Sequence, residues 1–547
     1  MLAHMGPVGA SDPSSVATIP RSSAARRLRR LGLCVLAYVI ALGGLRWWWG
    51  CEADRRLTAK IDEYRRAGQP VLPEDFQVAP VPDEENAVLL YGQAISKLAS
   101  PARGQPDFSD FLGDPTLIEE KRDALVALLE QNVEPLRLLR EARGKPGVDW
   151  KTRPASPLVF VPLPQLSGAR GLAKAASVAA WHEYTRGNNS DSLERVRDTL
   201  ALGAATERVH PCLITHLVRI AIDALAGSVV ERIAPALRTS DAATPTQPAV
   251  APAQPAQVRA LIAELLDEES LRADWRLALY GERLFILDTM ECLANGRFTP
   301  AAVFGTAGGV PGAPWMAPVF GPAWKLDTAR ALERFTAYVE AATAEDWPSA
   351  RRLLPVPAEP IASSGLWALV TTLSSIVMPS MERAVQLHFR ALALRRMAAT
   401  ALAIRLYEVD HGRRPATLAE LVPDYLAAVP RDPYAADGRA LGYRPDASPP
   451  VLYSVGPDGV DNAGQYALRA GGEMNYDEMD QPFFLDGRRP RPRLRWLADG
   501  TPRSAPAESA PSTQAVDDDK HIKEAQGDAQ GHEGEHQPGR EEYQPAP

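Results

Sequence analysis

Cys212 and His216 stand four residues apart in an apolar stretch that reads as a helix, so they share a face, and His210 lies just before it. Thiolate and imidazole are ligands that zinc takes, but a zinc site needs three or four of them, and the sequence nominates no others. Buried cysteine and polar packing account for the same residues. His182-Glu183 opens like the HExxH helix, in which two histidines bind zinc and the glutamate activates water; the fifth position here is Arg186, which ends that reading. Cys34, Cys51, Cys212 and Cys292 form no CxxC pair, so neither a zinc module nor a disulfide framework is implied. Only Cys212 and Cys292 are candidates to pair in an oxidising compartment.

Other catalytic signatures are missing. There is no GxSxG elbow and no GxxxxGK[ST] phosphate loop, and Gly305, Gly308, Gly309 and Gly312 do not lead from a strand into a helix as a dinucleotide site requires. Asp267-Glu268-Glu269 reads as a solvated helix face. An enzyme is therefore neither specified nor excluded, because catalytic residues scattered through a helical domain leave no local pattern. The net charge of -8, from 60 basic and 68 acidic residues, lacks the basic excess that binding nucleic acid demands.

The elements that would position these residues begin with a membrane signal. Arg26, Arg27, Arg29 and Arg30 precede an apolar run from Leu31 to Leu45, extended through Arg46 by Trp47, Trp48 and Trp49 to Cys51. Fifteen apolar residues rise only about 22 Å as a helix, and the aromatic belt brings the segment to the roughly 20 residues that a bilayer needs. The arginines keep the N-terminus cytoplasmic, which places the chain after residue 52 on the other side. No small-x-small cleavage site is present; Gly50-Cys51 offers a lipidated cysteine as an alternative to an uncleaved anchor.

Beyond a stalk and proline-punctuated linker at 52–82, apolar residues at helical spacing predict helices over 85–98, 117–142, 168–184, 193–208, 213–233, 258–271, 275–293 and 327–344. This is an antiparallel helical array over 83–380, without a repeat period. Thr239 to Pro255 reads as a linker or long surface loop, and the Gly/Pro-rich stretch from Thr306 to Pro322, with Trp315, Met316 and Phe320, as a packed Ω-loop or a binding lip. Gly365 to Met378 is apolar but short for a second span and carries Thr371, Thr372, Ser374 and Ser375, so it reads as a buried helix.

The C-terminal part carries its own order of signals. A helix over 381–410, with Val385, Phe389, Met397, Ile404 and Tyr407 on one face, is stopped at Gly412, where a left-handed conformation is cheap. Thr417-Leu418-Ala419-Glu420 matches a capping box and starts a short helix. Asp432-Pro433 biases the backbone away from helix, Asp437-Gly438 turns it, and 441–444 and 451–455 read as two strands, the second ended by Gly456-Pro457-Asp458-Gly459.

Tyr407, Asp410, Gly412, Pro415, Pro430, Asp432 and Pro433, followed by Tyr453-Ser454-Val455-Gly456-Pro457-Asp458-Gly459, give this part a resemblance to the globular domain of the type II secretion major pseudopilin. The resemblance covers about 65 residues, and the pseudopilin leader, its glutamate and the direct join from membrane helix to globular domain are missing. The whole chain better resembles large, membrane-anchored bacterial proteins of unassigned function that end in such a domain. In the pseudopilin family the loop after the last strand binds calcium; the resemblance implies a calcium site with Asp458 as a ligand and Asp461 and Asn462 replacing a later one in a shortened loop. Asp-Gly and Asp-Asn are also plain turn chemistry.

The expected architecture is thus a mainly α multi-helix domain plus a small α+β pseudopilin-like domain over 381–470, then a polar extension over 471–498 and a disordered tail over 499–547. A single-span protein of the bacterial inner membrane follows, with the bulk outside the cytoplasm. It would be a structural or interaction protein with an unidentified protein partner, linked to a type II secretion-like system. The competing expectation is an envelope hydrolase with its site near Thr306 to Pro322.

Overall fold

A single helix, α1, runs from Ser22 to Arg66, about 67 Å at 1.5 Å per residue. Its apolar stretch is long enough to cross a membrane, and none of its most apolar window is buried among the described residues; Leu31, Tyr38, Ile40 and Trp47 are each more than 60% exposed. Past that stretch the helix docks on the rest of the protein. The structure, a computed structural model, describes residues 22–240, 251–299, 302–303, 316–355, 378–469, 474–477, 479–489, 494–496 and 502–504.

The body is mostly helical. Helices α2 (Ala87–Ser96), α3 (Phe108–Gly113), α4 (Leu117–Glu120), α5 (Arg122–Gln131), α6 (Val133–Arg143), α7 (Pro164–Thr185), α8 (Asn189–Glu207) and α9 (Leu213–Ile233) form a first group. Helices α10 (Pro255–Leu265), α11 (Glu268–Ala294), α12 (Met316–Ala342), α13 (Trp347–Leu353) and α14 (Met378–His411) complete it. Side-chain caps set many of the starts, each satisfying a backbone N–H that the helix leaves open. Asn86 accepts from Val88 N at 3.1 Å, Asp267 from Ser270 N at 3.2 Å and Asp346 from Ser349 N at 2.7 Å.

The stretch 117–142, expected as one helix, is divided into three. Buried Asn132 turns its side chain across to Ala99, accepting from its N–H at 2.9 Å, so α5 ends where a non-helical partner competes for it. Likewise the helix expected over 258–271 breaks at Asp267, which caps α11 instead. Met316 to Pro322, expected in a loop, are the first turns of α12, with Met316 buried; the residues from Thr306 to Trp315 lie outside those described. So does nearly all of Gly365 to Met378, so the reading of a buried helix there falls outside the described residues. In the expected linker, Val71 and Phe76 are buried against the body at 1% and 6% exposure.

The α7 helix is alanine-rich because it is surrounded. Ala169, Ala173, Ala176 and Leu172 are fully buried among residues of α2, α3, α6, α8 and α9. Close approach recurs at Gly281 in α11, where a Cβ would stand 1.7 Å from the Pro211 carbonyl oxygen; only glycine lets that helix pass the entry to α9.

After α14 comes a three-stranded antiparallel sheet in the order β1-β2-β5, from β1 (Gly442–Arg444), β2 (Val451–Ser454) and β5 (Gln481–Phe484). Gly442 pairs with Tyr453, and Val451 pairs with Phe484. The short strands β3 (Ala467–Leu468) and β4 (Met474–Asn475) form a separate ribbon. The expected tail is structured at its start, because β6 (Leu494–Trp496) pairs antiparallel with β7 (Pro502–Ser504). Residues 505–547, expected to be disordered, lie outside those described.

The packing is continuous across 380/381. Phe389, Leu392, Met397 and Leu402 of α14, Trp275 of α11, Phe335 of α12, and Leu452 and Phe483 of the sheet share one hydrophobic core. Polar ties cross the same boundary. Glu231 of α9 accepts from Phe484 N at 2.8 Å and pairs with Arg489 at 2.7 Å, and Trp347 Nε1 donates to the Pro457 carbonyl at 3.0 Å.

Candidate functional site

The residues that carry the pseudopilin resemblance are the hinges of the C-terminal lobe. Gly412 ends α14 with φ +67°. Tyr407 donates to Glu420, whose carboxylate also accepts from Thr417 N at 3.1 Å and so closes the capping box on a single 3-10 turn, Leu418–Leu421. Asp410 accepts from Tyr425 OH at 2.6 Å. Asp432, 2% exposed, accepts from Ser454 Oγ at 2.6 Å, Val455 N at 2.8 Å and Tyr434 N at 2.9 Å. Ser454 and Val455 fasten the Pro430-to-Pro433 turn to the end of β2, and Tyr434 N closes the turn locally. Burial pushes the Asp432 carboxyl up from its usual value, and the three donors work against that rise.

The candidate calcium loop leaves β2 at Gly456 and curls back at Gly464. Asp458 Oδ1 accepts from Val460 N at 3.1 Å, an Asx turn, and Asp461 Oδ1 accepts from Ala463 N at 2.9 Å. The other Asp461 oxygen takes Arg439 at 2.9 Å. Asn462 contributes its backbone N–H rather than its side chain, donating at 3.2 Å to Asp480.

Asp480 is the residue that sequence reasoning missed. It has 0% exposure at the foot of β5 and also accepts from Gly464 N at 2.6 Å, so the loop is wound around its carboxylate. Burial pushes its pKa up to about 6, assisted by the negative charges of Asp461 and Asp458 and opposed by the two N–H donors. Its sequence signal is weak, an acid directly before an apolar strand, Asp480-Gln481-Pro482-Phe483-Phe484, with Asp477 and Glu478 close by. Asp458, Asp461 and Asp480 thus lie near enough to influence one another, but they are not gathered as a preformed cage. Among the described residues no group of three or more His, Cys, Asp or Glu is arranged to hold a metal ion.

The other titratable cluster is buried in the helical lobe. His216 Nδ1 lies 2.5 Å from Glu207 Oε1, and His216 Nε2 lies 3.2 Å from His388 Nδ1 on α14. Glu207 also accepts from Arg219 at 2.6 Å, and Arg219 reaches Asp274 at 2.8 Å. The Trp275 ring stacks on His216 with centroids 4.0 Å apart. His216, His388 and Glu207 are 0%, 1% and 3% exposed, so the cluster is shut off from solvent. Burial drives the His388 imidazole well below its usual value, the nearby positive groups add to that, and the ring is neutral. Burial would raise Glu207, but His216 and Arg219 outweigh it and hold the carboxylate below its ordinary range.

The zinc reading of Cys212, His216 and His210 does not converge. His216 faces Glu207 and His388, whereas Cys212 Sγ lies 3.8 Å from Thr215 Oγ1. Burial pushes the Cys212 thiol up to about 11, the wrong direction for a ligand or nucleophile. Cys212 and Cys292 are both free and buried. Glu183 of the incomplete HExxH accepts from Asn188 Nδ2 at 3.1 Å, at the cap of α8. Glu268, read as part of a solvated face, is held by Arg396 at 2.6 Å and 2.7 Å. His388 had no local signal at all, since its partner lies 172 positions away.

No family model matches this sequence, and neither a curated protein nor a solved structure is similar to it.

Proposed function

We propose that this is a membrane-anchored structural or interaction protein of the bacterial envelope, with its N-terminus in the cytoplasm, its bulk outside and its pseudopilin-like lobe serving a type II secretion-like assembly. The observation that carries this reading is the rigid join between the apolar helix and the body. Beyond the apolar stretch, Tyr64 of α1 donates to the Leu332 carbonyl at 2.8 Å and packs with Val71, Leu287 and Leu332, and Lys325 reaches Asp54 at 2.6 Å. A span fixed in this way holds the whole body at one height above the bilayer, as a scaffold requires. Protease added to spheroplasts should cut the C-terminal region without lysis, and cross-linking in intact cells should capture secretion platform or pseudopilus subunits. Cutting only after lysis would overturn the orientation, and a cross-linked set without such subunits would overturn the link to secretion.

The loop of Asp458, Asp461 and Asn462, closed on Asp480, takes calcium in this reading through carboxylate and carbonyl oxygens, the donors that a hard cation prefers. The Asp480 proton must leave first, so apparent affinity should rise with pH through about 6. Calorimetric titration of the full chain with calcium at pH 5 and pH 7 should show that rise, with binding heat lost in Asp458→Ala and Asp480→Asn. A silent titration of the unsubstituted chain at pH 7 would refute the site.

A further inference from the structure

Helix α9 is unusually apolar for a helix that is not wholly covered. Its mean hydropathy reaches 1.7 over a membrane-length window, of which 56% is buried. The inner side, with Val218, Ile222, Val229 and Val230, fills the core. The outer side, with Leu217, Ile220 and Ala224, forms one wall of a cavity of about 470 Å³, and Leu387 and Leu394 of α14 form the other. This lies within the roughly 300–1,000 Å³ typical of small-molecule sites, and the walls are mostly hydrocarbon, as such sites are.

One end of the cavity is cationic. Arg390 and Arg489 both line it, together with Tyr476. Arg489 is spoken for: its guanidinium pairs with Glu231 at 2.7 Å and donates to Tyr476 OH at 2.6 Å and the Pro482 carbonyl at 3.1 Å. Arg390 is placed differently. Its guanidinium carbon lies 3.6 Å from the Tyr476 ring centroid, and among the described residues no carboxylate lies within ion-pair distance of it. Asp477, the acid that senses Arg390, is bound by Arg383 at 2.9 Å and Arg469 at 2.6 Å. Burial holds the Arg390 guanidinium below its usual value, so the cation is carried at a cost that an anion in the cavity would remove.

A half-buried guanidinium with no acid partner among the described residues, set at the end of a hydrocarbon-walled cavity, has the two recognition elements that an amphiphile needs. We infer that the cavity between α9 and α14 binds an acyl chain bearing a single oxyanion headgroup, with the headgroup on Arg390 and the chain along Leu217, Ile220, Ala224, Leu387 and Leu394. A planar guanidinium suits a carboxylate or a phosphate diester equally, so a free fatty acid and an anionic phospholipid share this chemistry. The site is separate from the anchor helix and from the calcium loop, and does not depend on the orientation of the protein.

The test is photolabelling of the full chain in phosphatidylcholine vesicles with three diazirine-bearing probes: palmitic acid, the alcohol of the same length, and phosphatidylglycerol labelled on its acyl chain. The palmitic acid or phosphatidylglycerol probe should mark peptides covering 214–228 and 387–394, and the alcohol should mark them at least tenfold less. Labelling by the acid alone identifies a free fatty acid, and labelling by phosphatidylglycerol alone a lipid headgroup; labelling by both fits the shared chemistry. Arg390→Met should reduce the signal at least tenfold, while Arg390→Lys retains most of it. Should Arg390→Met fail to fold, Ala224→Trp, which fills the cavity from the exposed side of α9, should abolish labelling. Shortening the acid should weaken labelling by about fourfold per methylene. Absence of label from both peptides with both anionic probes, equal labelling by the alcohol, undiminished labelling of a folded Arg390→Met protein, or full labelling of Ala224→Trp would overturn the proposal.

Discussion

A chain cut after residue 380 is expected not to fold, although that position looks like a domain boundary. Phe389, Leu392, Met397 and Leu402 of α14 are each 0% exposed, and the helix that carries them lies in the same core as Trp275, Phe335 and Val230. Removing one such side chain costs about 2–5 kcal/mol, so losing four removes about 8–20 kcal/mol. The net stability of a domain is only about 5–15 kcal/mol. Arg395 would be lost as well, leaving Asp223 of α9 without its 2.8 Å partner. Melting by circular dichroism should be cooperative for the full chain and for one ending at residue 504, and should lose its transition for one ending at residue 380. Cooperative melting of the shortest chain near the temperature of the longest would show that the helical lobe has a core of its own.

That expectation also shows which levels of the structure were legible in sequence. Local signals are legible because cap, period and turn are properties of neighbouring residues. The helix over 213–233, the stop at Gly412, the capping box at Thr417 and the two strands around Pro445 to Pro450 all appear close to where their residues require them. Helix breaks were less legible when a distant group decided them, as Ala99 does for Asn132. Long-range partners were not legible at all. A recognisable pattern begins near residue 380, but Glu231 and Arg395 join the two sides of that position, and neither carries a local mark of its role. The candidate calcium loop was found through its turn residues, whereas Asp480, around which it winds, reaches it only through the fold.

Glu207→Ala is expected to destabilise the protein by about 3–5 kcal/mol, because it leaves the buried His216 and Arg219 facing a missing partner. Urea unfolding followed by tryptophan fluorescence is a direct measure, since Trp275 stacks on His216. A loss below about 1 kcal/mol would mean that Arg219 is adequately held by Asp274 and Asp223 alone. The same cluster sets a pH dependence whose sign is fixed. His388 is neutral in the fold and its folded value lies well below the unfolded 6.5, so the unfolded chain binds the extra proton as pH falls. Its contribution is fully present above about pH 6.5 and is lost on the way down, at up to about 1.4 kcal/mol per pH unit. Glu207, held below its unfolded 4.5, has the same sign in a lower window: its contribution is present above 4.5 and lost as pH falls through the folded value. Asp480 works in the opposite direction, since a value raised from 3.8 to about 6 gives stability at low pH that disappears as pH rises through 6. The two opposing groups are separable by substitution. His388→Gln should flatten the fall in stability between pH 6.5 and pH 5 by about one proton, whereas Asp480→Asn should steepen it, because removing the opposing group leaves His388 unmasked. An unchanged slope in His388→Gln would mean that the ring takes up its proton in the folded protein without penalty, which a residue 1% exposed beside His216 and Arg219 should not do.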